Sequence, residues 1–217
     1  MLFKSGQTIL FVGDSITDCG RAPVGEPTQY STSTGLGQGY VSLVHAWINS
    51  SNPQNNVRVI NRGFSGRTVR ELKANWTEEV LAQKPEWLSV FIGVNDVWRH
   101  FDRPARREIL VSLEEYSETL DELLAITRPQ LAGLVLATPF MIEPNPQEPM
   151  RAKMDLYGME VKRLAKKYDA ILVDVQAAFN RVCAHRHPME ISWDRIHSAT
   201  FGHMIIARAW LEATGEL

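Results

Sequence analysis

A hydroxyl nucleophile, an imidazole base and a carboxylate that orients the base are enough to run acyl transfer through a covalent intermediate. Ser15 stands in Gly13-Asp14-Ser15-Ile16-Thr17-Asp18, directly after the apolar run Thr8 to Val12. A serine at a strand-to-helix turn meets unpaired backbone amides, which stabilise developing negative charge. The commoner use of such a serine is to cap a helix. Near the other end of the chain, Asp194-Arg195-Ile196-His197 sets a carboxylate three residues before an imidazole. That offset can bring both side chains to one side of a turn, with the carboxylate holding the tautomer that accepts a serine proton. Taken alone, it is more simply an acidic loop residue beside a solvated histidine.

Acyl transfer also needs donors for the oxyanion. Asn61-Arg62-Gly63-Phe64-Ser65-Gly66-Arg67-Thr68 and Gly93-Val94-Asn95-Asp96 each follow an apolar run. A glycine lets a backbone N–H come close to a substrate, and an asparagine supplies a neutral amide donor. Tight turns and Asx caps use the same residues. The conjunction of several such groups at successive strand ends separates the two uses.

Five short apolar runs must position these groups. They are Thr8–Gly13, Val57–Asn61, Trp87–Gly93, Gly133–Thr138 and Ala170–Val175. Their near-continuous apolar character predicts strands covered on both faces. Between and after them, helical spacing covers Tyr40–Ile48, Val69–Leu81, Leu113–Ile126, Met154–Tyr168 and Phe201–Leu211. This alternation predicts one α/β domain over residues 1–217, a three-layer α/β/α sandwich on a five-stranded parallel sheet. Sites in such sheets lie outside the carboxyl ends of the strands, where all four segments fall. Arg21–Gly39 and Pro139–Pro149 read as long loops on that edge, either functional or plain surface connections.

Composition bounds the function. The chain has 217 residues, 44% hydrophobic and 22% charged, the balance of a folded globular protein. A net charge of -2 gives no electrostatic footprint for nucleic acid or an anionic membrane. No apolar run approaches the roughly 20 residues of a membrane helix. Cys19 and Cys183 make no disulfide framework, and no signal-peptide pattern opens the chain, so a cytoplasmic protein is expected. Cys183, His185 and His187 fit no closed zinc spacing, and Gly35-Leu36-Gly37-Gln38-Gly39 lacks the dinucleotide-binding spacing. Asp14 and Asp18 are not the close aspartate pair of phosphoryl transfer, and Arg103, Arg106 and Arg107 read as solvated surface.

The four segments in order resemble the signature blocks of the SGNH hydrolases, also called the GDSL esterase/lipase family. Gly13-Asp14-Ser15 matches the first block, Asn61 through Gly66 the second, Gly93-x-Asn95-Asp96 the third and Asp194-x-x-His197 the last. Longer runs, Val12 to Arg21, Gly93 to Arg99, Thr138-Pro139-Phe140 and Gly202 to Ala209, are similar to the intracellular bacterial acetylxylan esterases of that family. The resemblance implies a flavodoxin-like fold, with Ser15 as nucleophile, His197 as general acid/base and Asp194 as its orienting carboxylate. It implies an oxyanion site of the Ser15 N–H, the Gly66 N–H and the Asn95 side chain, with Gly63 the weaker glycine, and Asp14 as a brace for the turn. It implies no metal and no organic cofactor, and an acetylated saccharide substrate, and it is compatible with a homo-oligomer. Ser198 stands where the family commonly has proline, and no Gly-x-Ser-x-Gly elbow surrounds Ser15. Trp193, beside Asp194, is expected to line the substrate site, whereas Trp98 reads as a core residue. The competing functions are a family esterase for other short acyl esters, thioesters or lysophospholipids, and a non-catalytic carbohydrate-binding domain.

Overall fold

The structure, a computed structural model, describes residues 2–21 and 35–217. The stretch of the expected Arg21–Gly39 loop between 22 and 34 lies outside the described residues.

Strand β1 (Thr8–Gly13) pairs in parallel with β2 (Arg58–Gly63), from Thr8 opposite Arg58 to Gly13 opposite Gly63. Its other edge pairs with β3 (Trp87–Phe91), and β4 (Gly133–Ala137) and β5 (Ile171–Val173) follow. The order is therefore β2-β1-β3-β4-β5 in a five-stranded parallel sheet. The chain runs outward from β1 to β2 and then returns to the far side of β1. That reversal opens a crevice between the carboxyl ends of β1 and β3, where ligands bind in doubly wound sheets.

The predicted strands are present with shifted ends. β2 runs on to Gly63, because its whole length finds partners on β1. β5 stops at Val173, where the Asp174 side chain accepts a hydrogen bond from the Ala177 N–H at 3.0 Å and starts a helix.

A single helical turn, α1 (Ser15–Asp18), follows β1 at once. Helix α2 (Tyr40–Ser51) leads to β2, α3 (Val69–Glu79) to β3, and α4 (Val94–Asp102) and α5 (Leu113–Thr127) to β4. Helix α6 (Pro149–Lys167) leads to β5, and α7 (Val175–Cys183), the short α8 (Pro188–Ile191) and α9 (Thr200–Ala213) complete the chain. Helices α2, α7 and α9 pack together on one side of the sheet, and α3, α5 and α6 on the other. The α4 segment was not among the expected helices, and it carries Asn95. His187 caps α8, its Nδ1 accepting from the Met189 N–H at 3.2 Å, which gives that histidine a structural use.

β1, β3 and β4 are buried almost throughout, as strands covered on both faces must be. On the α2/α9 side, Phe11 meets the rings of Tyr40 and Trp210 at 5.8 and 5.3 Å. The Trp210 indole donates to the Ser89 hydroxyl in the sheet at 3.1 Å. On the other side, the Trp76 indole donates to Thr127 at 2.8 Å. Each pair lets a large aromatic be buried without orphaning its N–H. Among the described residues, no helix is long and apolar enough to cross a membrane.

Trp210→Phe removes the donor and leaves the Ser89 hydroxyl buried without its partner. Stability is expected to fall by about 2 kcal/mol in chemical denaturation, while turnover per folded molecule stays at the wild-type value. A denaturation midpoint equal to wild type would show that this bond contributes nothing.

Candidate active site

Ser15 opens α1 because Asp14 caps it. The Asp14 carboxylate accepts from the Ile16 N–H at 3.0 Å and fixes a sharp strand-to-helix turn. Cys19, in the left-handed region at φ 37°, ends that helix after one turn. Ser15 thereby stands at the crevice with its Oγ 2.8 Å from His197 Nε2. His197 Nδ1 lies 2.8 Å from Asp194 Oδ2. A carboxylate at Nδ1 holds the hydrogen there and leaves Nε2 as the acceptor for the serine hydroxyl.

Asp194 is held as firmly as it holds His197. Its Oδ1 accepts from the Ser192 hydroxyl at 2.7 Å and from the Ile196 and His197 N–H groups at 2.9 and 2.7 Å. Burial pushes this carboxyl upward, but the bonds from His197, Ser192 and the two amides outweigh it and hold it below the usual range. Between acid and base, Arg195 adopts φ 64°, which turns the chain back on itself. The Arg195 carbonyl accepts from the Ile142 N–H at 2.8 Å, and its guanidinium donates to Glu143 at 2.7 Å. The expected Pro139–Pro149 loop is thus no simple surface connection. Phe140, Met141 and Ile142 are buried, and Gln176 clasps the Met141 backbone through both ends of its amide.

The candidate oxyanion donors converge from two strand ends and the nucleophile's own turn. Ser15, Gly66 and Asn95 line one cavity of about 610 Å³ together with Ile16, Trp98, Arg99, His197 and His203. Gly66 has φ +83°, with open space where a side chain would stand. Asp18 accepts from both the N–H and the hydroxyl of Ser65, at 3.1 and 2.8 Å, and so fixes the turn just before Gly66. Gly63 is excluded as a donor, since its N–H is already given to Asn61 Oδ1 at 2.8 Å. Asn61 in turn donates to the carbonyls of Thr17 and Leu36, tying β2 to the α1 turn.

Two expectations about tryptophan change. Trp98 lines the cavity and sets its ring 5.5 Å from that of His197, so it is a wall of the site rather than plain core. Trp193 is 83% exposed and takes no part in the cavity wall. His203 is a cavity residue that the sequence did not single out. Burial pushes its pKa down to about 4, with His197 nearby acting in the same direction. It is therefore neutral. Its Nδ1 accepts from the Tyr40 N–H at 3.2 Å, which places the hydrogen on Nε2, 3.2 Å from Cys19 Sγ. Among the described residues, no group of three or more His, Cys, Asp or Glu is arranged to hold a metal ion.

Two further carboxyls lie beneath the site. Asp14 and Asp96 are almost fully buried, and each has one oxygen without a hydrogen-bond partner among the described residues. Asp96 uses its other oxygen to accept from the Val69 N–H at 2.9 Å, joining α3 to α4. Burial raises both to about 7, partly offset by the amide bonds, and Asp14 adds to the rise at Asp96.

The fold and the relay together define an α/β hydrolytic enzyme of the serine type. The chain belongs to the GDSL-like lipase/acylhydrolase family, whose model matches residues 11–205. It is 49% identical to an acetylxylan esterase of Geobacillus stearothermophilus over 216 residues, 99% of this chain and 97% of that one. The crystal structure of Axe2, an acetylxylan esterase from the same organism, superposes with a TM-score of 0.94 at 48% identity, covering 99% of this chain and 97% of that one. Structures of Axe2 catalytic mutants carry alanine in place of a serine, an aspartate and a histidine. LAE5, an alpha/beta hydrolase enzyme from the metagenome of Lake Arreo, Spain, superposes with a TM-score of 0.96 at 45% identity, covering 100% and 99% of the two chains.

The buried Asp96 carries a pH signature. Burial lifts its pKa in the fold to about 7 from the ordinary carboxylate value of 3.8, so between those values the native state holds more proton than the unfolded chain. Its ionisation therefore costs stability progressively as pH rises through that window, and the cost is constant above it. Asp96→Asn keeps an acceptor for the Val69 N–H and removes the ionisation. The variant is expected to gain on wild type by about 2–4 kcal/mol as denaturation is moved from pH 4 to pH 7.5. A difference between the two proteins that does not vary with pH would show that Asp96 does not titrate in this range.

Proposed function

We propose that this chain is a serine esterase that removes acetyl groups from acetylated xylo-oligosaccharides. The observation that carries the mechanism is the unbroken relay Ser15–His197–Asp194, with both links at 2.8 Å, opening into a cavity. The similarity to acetylxylan esterases supports the substrate.

His197 Nε2 takes the Ser15 proton as Oγ attacks the acetyl carbonyl. The carbonyl oxygen becomes an oxyanion held by the Ser15 and Gly66 N–H groups and the Asn95 amide. Neither of those backbone N–H groups has an acceptor among the described residues, so both are free to donate. Asp194 stays ionised and stabilises the imidazolium formed on His197. Collapse of the intermediate breaks the ester C–O bond, and His197 returns the proton to the departing sugar oxygen. A water molecule then gives a proton to His197 as it attacks the acetyl-enzyme carbonyl; collapse breaks the bond to Ser15 Oγ, His197 returns the proton to that oxygen, and acetic acid leaves and ionises to acetate. Asp14 and Asp96 brace the turns that carry Ser15 and Asn95.

Trp193 completes the proposal as a sugar platform outside the cavity wall, where an exposed indole next to Asp194 offers a flat apolar face. Two free cysteines, Cys19 and Cys183, support a reduced, cytoplasmic setting. Recovery of the protein in a secreted or membrane fraction would end that placement. The 72% and 83% exposure of Met189 and Trp193 supports association into a homo-oligomer, which a monomer mass in light scattering would end.

Wild type is expected to release acetate from acetylated xylo-oligosaccharides faster than it cleaves longer acyl esters. Ser15→Ala should lose at least about a thousandfold on both the sugar and p-nitrophenyl acetate. Ser15-dependent cleavage of p-nitrophenyl acetate with no release from the sugar would keep the mechanism and remove the substrate. For Trp193→Ala, the expected result is a KM on the oligosaccharide raised about tenfold, with p-nitrophenyl acetate kinetics unchanged. Equal kinetics on the oligosaccharide would remove Trp193 from substrate binding.

A further inference from the structure

An asparagine can serve an oxyanion only if its NH2 end, and not its carbonyl end, faces the reacting atoms. Asn95 sits at the start of α4 and is 3% exposed, so its amide has little freedom to use water. Both of its protein partners have fixed polarity. Asn95 Nδ2 donates to the Arg67 carbonyl at 3.0 Å, and that carbonyl can only accept. Asn95 Oδ1 accepts from Arg99 Nη2 at 2.9 Å, and a guanidinium can only donate. Turning the amide over would oppose two oxygens at Arg67 and two donors at Arg99. One hydrogen of Nδ2 is spent on Arg67, and the second remains.

Arg99 is built for this contact. It lies four residues after Asn95 on α4, one turn along the same face. Its side chain is 17% exposed and pairs with Asp102 through Nη1. It lines the same cavity as Ser15, Gly66 and Asn95. The Arg67 carbonyl that Asn95 holds is one residue beyond Gly66, so the contact also ties Asn95 to the second donor's turn. A cation bonded to Oδ1 polarises the amide and strengthens its remaining N–H as a donor.

We propose that Arg99 is a positioning residue of the oxyanion site, locking and polarising the Asn95 amide so that its second Nδ2 hydrogen meets the developing oxyanion. This rests on the proposed role of Asn95 itself. Arg99 touches no reacting atom and acts through Asn95 alone.

The test is a double-mutant cycle on p-nitrophenyl acetate, with kcat and KM measured for wild type, Arg99→Met, Asn95→Ala and the double variant. Arg99→Met is expected to lower kcat about tenfold with KM held within about twofold, because only an interaction made in the transition state is weakened. Asn95→Ala should lose about a hundredfold or more. Adding Arg99→Met to Asn95→Ala should cost nothing further, since the amide it positions is gone. Arg99→Lys, which keeps a cationic donor, should recover most of the kcat. The same tenfold loss in both backgrounds would overturn the proposal, as would a raised KM at unchanged kcat or wild-type kinetics for Arg99→Met. Should Arg99→Met not fold, the cycle is read on Arg99→Gln, which loses the charge at similar polarity. An Asn95→Ala enzyme as fast as wild type overturns the role of Asn95 and that of Arg99 together. A slowed Asn95→Ala enzyme with additive losses overturns Arg99 alone.

Discussion

The site depends on two missing side chains. A Cβ at Gly13 would stand 2.3 Å from the Phe91 carbonyl, and one at Gly63 would stand 2.2 Å from the Asp18 N–H. Because neither position has a side chain, β1 can close on the Phe91 end of β3, and β1 and β2 can pack directly on the α1 turn at Thr17 and Asp18. Three chain segments remote in sequence then present their polar groups to one small volume. Asn61 completes the contact by bonding the Thr17 and Leu36 carbonyls and the Gly63 N–H, which gives three backbone groups at its centre a partner. Everything above this contact, from the Ser15 hydroxyl to the Gly66 amide, inherits its position from it.

The carboxylates around that contact divide into two kinds. Asp194 is wrapped in donors and kept ionised, which is what a group facing an imidazolium requires. Asp14 and Asp96 receive too few donors for their burial, and their pKa values rise to about 7. One residue type thus serves opposite ends. A charged aspartate orients the base, while two poorly solvated ones brace the turns at a cost in stability. That cost is the kind of local inconsistency that functional sites carry.

Much of this was legible in the sequence, for reasons that particular elements show. The strands announced themselves because sheets covered on both sides need continuous apolar runs. The relay was legible as spacing, since Asp194 and His197 lie on one turn, although only the fold brings Ser15 to them. Helix α4 was not legible. Its nine residues begin inside a functional motif, so their apolar spacing was overshadowed by chemistry. Without α4, Asn95, Trp98 and Arg99 do not show as one face, and Trp98 reads as a core residue. Trp193 adjoins Asp194 in the chain yet stands 83% exposed outside the cavity wall, since adjacency in sequence says nothing of side-chain direction at a loop. The resemblance already favours Gly66 over Gly63, and the Gly63 N–H spent on Asn61 supplies the physical reason, a fact of tertiary pairing.

The bond between Ser15 and His197 joins residues 182 positions apart. Helix α9, which follows His197, supplies Trp210 and covers one face of the sheet's centre. During synthesis on the ribosome, a nascent chain can therefore hold Ser15, Gly66, Asn95 and all five strands before His197 has been made. The relay of Ser15, His197 and Asp194 can close only once residues 194–197 have been made. On the proposed mechanism, a chain that stops short of Asp194 holds Ser15 with no imidazole to take its proton.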